Sequence, residues 1–313
     1  MQIKIKSLDQ ITAWLIGLVV GGILFSIVWW VGGAAYNREE EDRVKIAASA
    51  EAILEQSRKN QVSKVDHYKL ESKHPDEPDA AKPKDSIFEG HFAYSGTEAP
   101  WRWSDLRKTW SICKTGKFQS PIDFTGSKEN ENLKTLKFHY QHDISSVSLS
   151  NQTLVAQIPV GSWVEYKSER FDLQRAYLRT PSEHRVNGLP YEMEVQLEHQ
   201  DLAGTKMFIS ILYTVGKESS ALSQLSQALP RYAGESSKIE RFNWKDLLPE
   251  KKTYWNYKGS LTFPPCSEGI DWVVFTKTNS LSSKTLKAFE KLQQNNARPT
   301  WPINKRSIAR SNR

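Results

Sequence analysis

The chain of 313 residues is long enough for one large domain with appendages, since all-β folds of roughly 200 to 250 residues often form a single domain. Its net charge of +7 is modest, and residues 87–313 carry the excess, with 31 basic and 23 acidic groups. No cluster of Lys and Arg is denser than the pair in "PEKKTYW". A charge of this size and spread is typical of a surface that keeps a protein soluble. We therefore expect no nucleic-acid partner, and an anionic glycan is the alternative partner.

The first predicted element is an apolar segment without a charged residue, "ITAWLIGLVVGGILFSIVWWV", which begins at Ile11. A helix needs about 20 such residues to cross a bilayer, so the segment predicts a transmembrane helix over residues 11–33. Lys4 and Lys6 precede it, and the acidic run "NREEEDR" follows. Because basic residues favour the cytoplasmic side, we expect residues 1–10 to be a cytoplasmic tail and the rest of the chain to lie on the periplasmic side of a bacterial inner membrane. The alternative is a signal peptide that is cleaved near "VGGAA".

Two segments of different composition connect this span to the rest of the chain. Residues 34–62 are rich in good helix formers with a narrow apolar stripe, which predicts a helical stalk or a helix that binds a partner. Residues 63–86 carry three prolines and many charges with little apolar periodicity, which predicts a linker. Within the span, small residues recur at every fourth position, at Ala13, Gly17 and Gly21, and this spacing favours helix pairing. We therefore expect a homodimer through the span or the stalk as one mode of assembly.

Residues 87–313 contain short alternating runs such as "TLKFHY", "LVAQIPV", "MEVQLEH" and "KMFISILYTV", separated by clusters of Gly, Pro, Asn and Ser. Alternation with a period of two is typical of β-strands. Helical patterns interrupt these runs around residues 219–228 and 283–295. We expect one mainly β domain, with a large, mostly antiparallel sheet and peripheral helices.

The chain has two cysteines, Cys113 and Cys266, which are far apart in the sequence and lie in the part predicted to be exported. Because exported proteins meet an oxidising environment, we expect the two to form a disulfide with each other. Two independent buried thiols are the alternative.

Several strings in this region match one protein family in the same order. They are "YSG" followed by Trp101 or Trp103, "CKTGKFQSPIDF" at 113–124, "TPSEHRVNG" at 180–188, "MEVQLEH" at 193–199, "YKGSLTFPPCSEGIDW" at 257–272 and "NNARPTWPINKR" at 295–306. On these strings the region resembles the α-class carbonic anhydrases. The resemblance implies a central twisted sheet with a conical cavity, and it also implies the disulfide between Cys113 and Cys266 that many secreted members have.

Members of this family hydrate carbon dioxide with a zinc ion held by three histidines, which leave a fourth position for a water whose pKa the metal lowers to about 7. The resemblance places the three ligand positions on Tyr177, Arg179 and Gln196. A neutral tyrosine and an amide are poor zinc ligands, and arginine keeps its positive charge in proteins. The seven histidines of the chain include no His-x-His pair. The sequence therefore predicts that the protein binds no metal and no cofactor. It also predicts a catalytically degenerate member of the family, which is a pseudoenzyme and not an enzyme.

Other positions of the family's site keep their residues here. Thr262 and Glu183 match the pair that orients the zinc-bound hydroxide, and Glu194 matches the carboxylate that orients a ligand histidine. Because side chains alternate along a strand, the resemblance predicts two arginines and a tyrosine on one strand facing glutamates and a glutamine on the next. The predicted degenerate site comprises Arg175, Tyr177, Arg179, Glu183, Glu194, Gln196, Glu198 and Thr262.

Two further features are expected at this site. Arg179 should lie in a closed cavity and pair with a carboxylate of the neighbouring strand, Glu194 or Glu198. Phe263 and Phe208 should fill space that the family leaves for substrate.

The leading hypothesis from the sequence is a non-catalytic binding or scaffold protein, anchored in the membrane by one span and assembled with protein partners in an envelope complex. The alternatives are a carbonic anhydrase with weak or altered activity, and binding of a small anion or an anionic glycan by arginine side chains.

Overall fold

The structure is a computed structural model that describes residues 87–129 and 133–311. The predicted tail, span, stalk and linker, at residues 1–10, 11–33, 34–62 and 63–86, lie outside the described residues. Within the described ranges, no helix is long and apolar enough to cross a membrane.

Strands form where the sequence alternates between apolar and polar residues, with the aromatic and β-branched residues that favour a pleated surface. In chain order the strands are β1 Asp123–Phe124, β2 Lys128–Glu129, β3 Lys137–His139, β4 His142–Ser150, β5 Thr153–Gln157, β6 Trp163–Tyr166, β7 Glu169–Arg179, β8 Arg185–Val186, β9 Leu189–Pro190, β10 Met193–Gln200, β11 Lys206–Val215, β12 Ser236–Asn243, β13 Tyr254–Ser260, β14 Glu268–Phe275, β15 Asn279–Leu281 and β16 Ala309–Arg310.

Within the described residues, thirteen of these strands form one sheet, and its main path runs β12-β4-β5-β7-β10-β11-β14-β13-β16-β2. At its sides, β15 pairs with β11, β6 with β7 and β3 with β6. Most neighbouring strands are antiparallel, while β11 runs parallel to β14 and β15, and β16 parallel to β2. The remaining strands β1, β8 and β9 form a small separate sheet. The predicted mainly β fold with a large sheet is confirmed, and the sheet is mixed.

Side chains that alternate across the central strands supply two separate cores. On β10, Met193, Val195 and Leu197 pack into a mostly aliphatic core on one face of the sheet, which we call the aliphatic core. The other face carries an aromatic core that includes Trp103 and Trp272. Full burial of such a side chain contributes about 1.5 to 3 kcal/mol, so both faces contribute substantially to the stability of the sheet.

The helices of the described residues are short. The two longer ones, α3 at Ser220–Gln227 and α4 at Ser283–Gln293, form at the two predicted helical patterns. Helix α4 begins after Ser282, whose hydroxyl accepts a hydrogen bond from the Thr285 N–H at 3.2 Å, and it packs Phe289 against the aliphatic core. The bounds are α1 Trp103–Leu106, α2 Ile112–Thr115, α3 Ser220–Gln227 and α4 Ser283–Gln293, with 3-10 turns at Gly96–Glu98, Pro100–Arg102, Lys108–Trp110 and Trp244–Leu247.

The predicted disulfide is confirmed. Cys113 in α2 is bonded to Cys266 in the segment before β14, with an S–S distance of 2.04 Å, and both residues are buried. The bond joins two parts of the chain that are 153 residues apart.

Candidate functional site

The predicted site residues meet on one face of the sheet, where β7 and β10 run antiparallel. The register pairs Arg179 with Glu194, Gln196 with Tyr177 and Glu198 with Arg175. The two sets of polar side chains therefore face each other, as strand alternation predicts. They fall into an inner group around Arg179 and an outer group around Glu198.

Arg179 is fully buried, and its guanidinium is the centre of the inner group. Its Nε lies 3.3 Å from Glu183 Oε2 and 3.5 Å from Gln196 Oε1. Its Nη1 donates to the Tyr94 hydroxyl at 2.5 Å and to Thr153 Oγ1 at 3.0 Å. Burial disfavours its charge, but the nearby Glu183 and Tyr94 raise the pKa of Arg179 overall. The group therefore stays a cation inside the protein.

The carboxylate beside Arg179 is not one of the two that the sequence predicted. The prediction of Glu194 or Glu198 is wrong, because Glu183, four residues further along the chain, makes the ion pair. Glu183 Oε2 also accepts from Gln196 Nε2 at 2.8 Å, and its Oε1 accepts from the Arg298 N–H at 3.0 Å. Both candidates on the neighbouring strand are engaged elsewhere.

Glu194 holds the "TPSEH" segment in place. Its Oε2 accepts from the backbone N–H groups of Glu183 at 2.8 Å and His184 at 3.0 Å. Its Oε1 lies 2.7 Å from His184 Nδ1 and accepts from Ser210 Oγ at 2.7 Å. Burial works against the charged form, but the contacts with His184 and Gln196 lower the pKa of Glu194 to about 2. Glu194 is thus a fully satisfied structural carboxylate.

Glu198 is the centre of the outer cluster, which we define as Arg175, Tyr177, Glu198 and Lys206. The buried Glu198 carboxylate accepts from the Tyr177 hydroxyl at 2.7 Å and from Lys206 Nζ at 2.7 Å, and Arg175 Nη1 lies 3.3 Å away. Burial raises the pKa of Glu198, but Lys206 and the Tyr177 hydroxyl lower it overall. Sequence reasoning missed Lys206, although strand alternation from Phe208 places it on this face.

Aromatic rings close the space between the two groups. The Tyr177 ring centre lies 5.0 Å from that of Phe263, 6.0 Å from that of Phe208 and 6.2 Å from that of Phe88. Phe263 and Phe208 therefore pack against Tyr177 inside the site and are themselves buried. Phe88, from the N-terminal segment, is the third aromatic ring that packs against Tyr177. No local sequence signal predicted this contact. Burial raises the pKa of Tyr177 well above its ordinary value, so its hydroxyl stays neutral.

Two buried polar atoms at this site have no hydrogen-bond partner among the described residues, Arg179 Nη2 and Thr262 Oγ1. The resemblance predicts that Thr262 partners Glu183. That pairing does not form, since Gln196, Arg179 and the Arg298 N–H surround the Glu183 carboxylate.

The residues at the predicted ligand positions do not fit a zinc ion. The guanidinium of Arg179 offers only donors and a positive charge. The Gln196 oxygen faces Arg179 Nε, and the Tyr177 hydroxyl donates to Glu198. Across residues 87–129 and 133–311, no group of three or more His, Cys, Asp or Glu residues could hold a metal ion. No step of a reaction is therefore assigned to zinc here.

Comparison with known proteins shows the family. The family profile described as eukaryotic-type carbonic anhydrase matches residues 98–312. A carbonic anhydrase of Klebsiella pneumoniae is 31% identical over 227 residues, which is 71% of this chain and 92% of that protein. A carbonic anhydrase of Neisseria gonorrhoeae is 28% identical over 220 residues, which is 70% of this chain and 87% of that protein.

A solved structure gives the same result. The α-carbonic anhydrase from Thermovibrio ammonificans, in complex with the inhibitor sulfanilamide, is 34% identical with a TM-score of 0.68 and covers 70% of this chain and 98% of that chain. The chain belongs to the α-carbonic anhydrase family.

This membership overturns one prediction from the sequence. The prediction that the chain is not an enzyme is wrong, because the relatives and the structural neighbour that match most of the domain are named carbonic anhydrases and point to an enzyme. The side chains at the predicted ligand positions are therefore a question of mechanism, and they do not by themselves decide whether the chain is an enzyme.

Proposed function

We propose that the domain is a carbonic anhydrase with weak, altered activity, which holds bicarbonate or a similar small carboxylate-like anion with arginine and lysine side chains. Family membership supports the reaction class. The outer cluster supports the mode of binding, and it is the observation that carries the proposal.

The outer cluster has more positive than negative charge. Arg175 and Lys206 both contact the single carboxylate of Glu198, which leaves one positive charge in excess, since the Tyr177 hydroxyl is neutral. The side chains of Arg175 and Lys206 are 35% and 33% exposed, whereas Glu198 is 1% exposed. The two cations are thus accessible from solvent, and the carboxylate that orients them is not.

The chemistry of these donors suits a planar anion. A guanidinium presents five N–H groups in a fixed fork that matches a carboxylate or bicarbonate, while a lysine ammonium adds a compact charge. Arg175 contacts Glu198 through Nη1 and is one-third exposed, so the N–H groups that reach solvent can meet a ligand. Burial disfavours the charge of Arg175, but Tyr177 and Glu198 raise its pKa overall, which keeps the fork charged across physiological pH.

A binding experiment tests this mode. Titration of ¹³C-bicarbonate into the purified protein, followed by NMR, should show saturable binding that the Arg175→Gln variant loses. The matched control is Arg170→Gln, which removes an exposed arginine of the same strand that binds Asp172. Equal binding by wild type and Arg175→Gln would overturn the proposal.

A rate measurement tests the activity. Stopped-flow hydration of carbon dioxide should exceed the uncatalysed rate, decrease in Arg175→Gln and stay unchanged after treatment with a chelator, because the residues at the ligand positions do not fit zinc. Activity that disappears with the chelator and returns with zinc would contradict this account.

We also propose that the domain lies outside the cytoplasm on a membrane anchor formed by residues 11–33, with protein partners in the cell envelope. The apolar segment supports the anchor, and the disulfide supports an oxidising compartment, where such bonds persist. Protease added to spheroplasts should remove the domain, and crosslinking in native membranes should recover its partners or its dimer. A domain that resists added protease until the membrane is opened would place it in the cytoplasm.

A further inference from the structure

A concave region lies on the same face of the sheet as the site residues, between the N-terminal segment and the hairpin of β4 and β5. Its volume is about 910 Å³, within the range of about 300 to 1,000 Å³ that is typical of small-molecule sites. We call it the serine groove, because four hydroxyls and three side-chain amides line it: those of Ser95, Ser148, Ser150, Ser236, Asn151, Gln152 and Gln157.

The sequence of β4 explains the groove. In "HDISSVSLS" the apolar residues Val147 and Leu149 pack into the aliphatic core, and Ser146, Ser148 and Ser150 alternate with them. Ser148 pairs with Ser236 across to β12, the edge strand of the sheet. The strand therefore presents a row of small hydroxyls on its second face, where bulky residues would fill the concavity.

One of these hydroxyls has no partner. Ser148 Oγ is buried, and no described residue hydrogen-bonds to it. Buried polar atoms in folded proteins nearly always have a partner, so an unsatisfied hydroxyl in a groove is a position for a polar group from outside the chain. By contrast, the Gln152 side-chain oxygen has a partner, because it accepts a hydrogen bond from the Tyr94 N–H at 2.9 Å. This bond connects the N-terminal segment to the lining of the groove.

The charge of the lining limits the class of ligand. No Asp, Glu, Lys or Arg is among the described residues that line the groove. The imidazole of His91 is the one titratable group among them, and it contacts Asn151 and Glu98. Serine hydroxyls and side-chain amides both donate and accept hydrogen bonds, which suits a ligand rich in neutral hydroxyl groups.

An exposed aromatic residue lies next to the groove in the sequence. Tyr232 directly precedes the lining residues Ala233 and Gly234, and 61% of its surface is exposed. An amphipathic ring beside hydroxyl donors is a common feature of surfaces that bind molecules with one apolar and one polar side, such as a pyranose. We infer that the serine groove binds a neutral oligosaccharide.

The test uses the full-length protein and a panel of neutral tetrasaccharides, cellotetraose, maltotetraose and chitotetraose, followed by saturation-transfer NMR and calorimetry. Loss of one hydrogen bond should weaken binding roughly two- to tenfold. We expect that effect in Ser148→Val, whose side chain suits a strand, and in Gln157→Ala at an exposed position. The matched control is Ser146→Val, on the same strand and face but outside the groove lining, which should bind as wild type does.

Three results would overturn the inference. One is the absence of saturable binding of every tetrasaccharide to the wild-type protein. Another is binding that neither Ser148→Val nor Gln157→Ala weakens. The third is tighter binding of tetra-alanine than of any sugar, which would indicate a peptide pairing with the edge strand β12. Bicarbonate binding at Arg175 is measured separately, so neither result depends on the other.

Discussion

Replacement of Arg179 by methionine removes the cation at the centre of the inner group and leaves Glu183 as a buried charge. Removing one partner of a buried ion pair costs about 3 to 5 kcal/mol. Glu183 would keep two hydrogen bonds, from Gln196 Nε2 at 2.8 Å and the Arg298 N–H at 3.0 Å. We therefore expect the lower end, about 3 kcal/mol, which is roughly a 150-fold change in the folding equilibrium.

The double variant Arg179→Met/Glu183→Gln measures how much of this loss is due to the unpaired charge of Glu183. Glutamine retains an oxygen that can accept a hydrogen bond, and the pair of changes removes both charges from the interior. Because the double variant leaves no unpaired charge in the interior, it should recover most of the stability that Arg179→Met loses. The two changes should thus be strongly non-additive.

Urea unfolding followed by tryptophan fluorescence measures these free energies, and the chain offers 11 Trp residues as probes. Arg170→Met is the matched control, since its exposed pair with Asp172 should contribute less than about 1 kcal/mol. A loss below about 1 kcal/mol in Arg179→Met, or a double variant less stable than either single variant, would refute the view that the guanidinium compensates the charge of Glu183.

The remaining predictions concern pH, the disulfide and the metal site. Burial lowers the pKa of His199 from 6.5 to about 4. As pH falls from 6.5 to 4, the free energy of unfolding should therefore decrease by an amount on the order of 3 kcal/mol. His199→Asn should reduce this decrease, and the exposed control His142→Asn should not. Urea unfolding midpoints at pH 7 and pH 5 measure the difference. Reduction of the disulfide should lower the unfolding free energy by about 2 to 5 kcal/mol, measured with and without reductant, and no change would contradict its structural role. The triple variant Tyr177→His/Arg179→His/Gln196→His should bind stoichiometric zinc, which atomic absorption measures. An equal zinc content in the wild-type protein would contradict the conclusion that Tyr177, Arg179 and Gln196 do not fit a zinc ion.

Local patterns predicted the parts of the fold that depend on neighbouring residues. The alternating runs became strands, and the two helical patterns became α3 and α4, because periodicity determines which side chains can be buried together. Alternation along β7 and β10 also predicted that Arg175 faces Glu198, which the 3.3 Å contact confirms.

The partner of Arg179 could not be predicted from the same alternation. Strand periodicity states which face a side chain is on, but Glu183 lies beyond the end of β7, in a segment whose path depends on its hydrogen bonds to Glu194. Phe88 was missed for a related reason, since it reaches the site from a segment without regular structure, about 90 residues before Tyr177 along the chain. Such contacts depend on tertiary packing, which no local pattern contains.

The inner group explains why "TPSEH" remains in a chain whose predicted ligand positions do not suit zinc. Glu183 and Glu194 are both fully buried, and each carboxylate needs several donors to stay satisfied. Arg179 and Gln196 supply donors to Glu183, while Gln196, Ser210 and backbone N–H groups supply them to Glu194.

A guanidinium can act in this way because its donors point in several directions at once, toward Tyr94, Thr153, Gln196 and Glu183. The inner cation thus makes internal contacts on several sides and is closed to solvent, although its Nη2 has no partner among the described residues. This arrangement supports the proposal that a small anion binds at the outer cluster, where Arg175 and Lys206 remain one-third exposed.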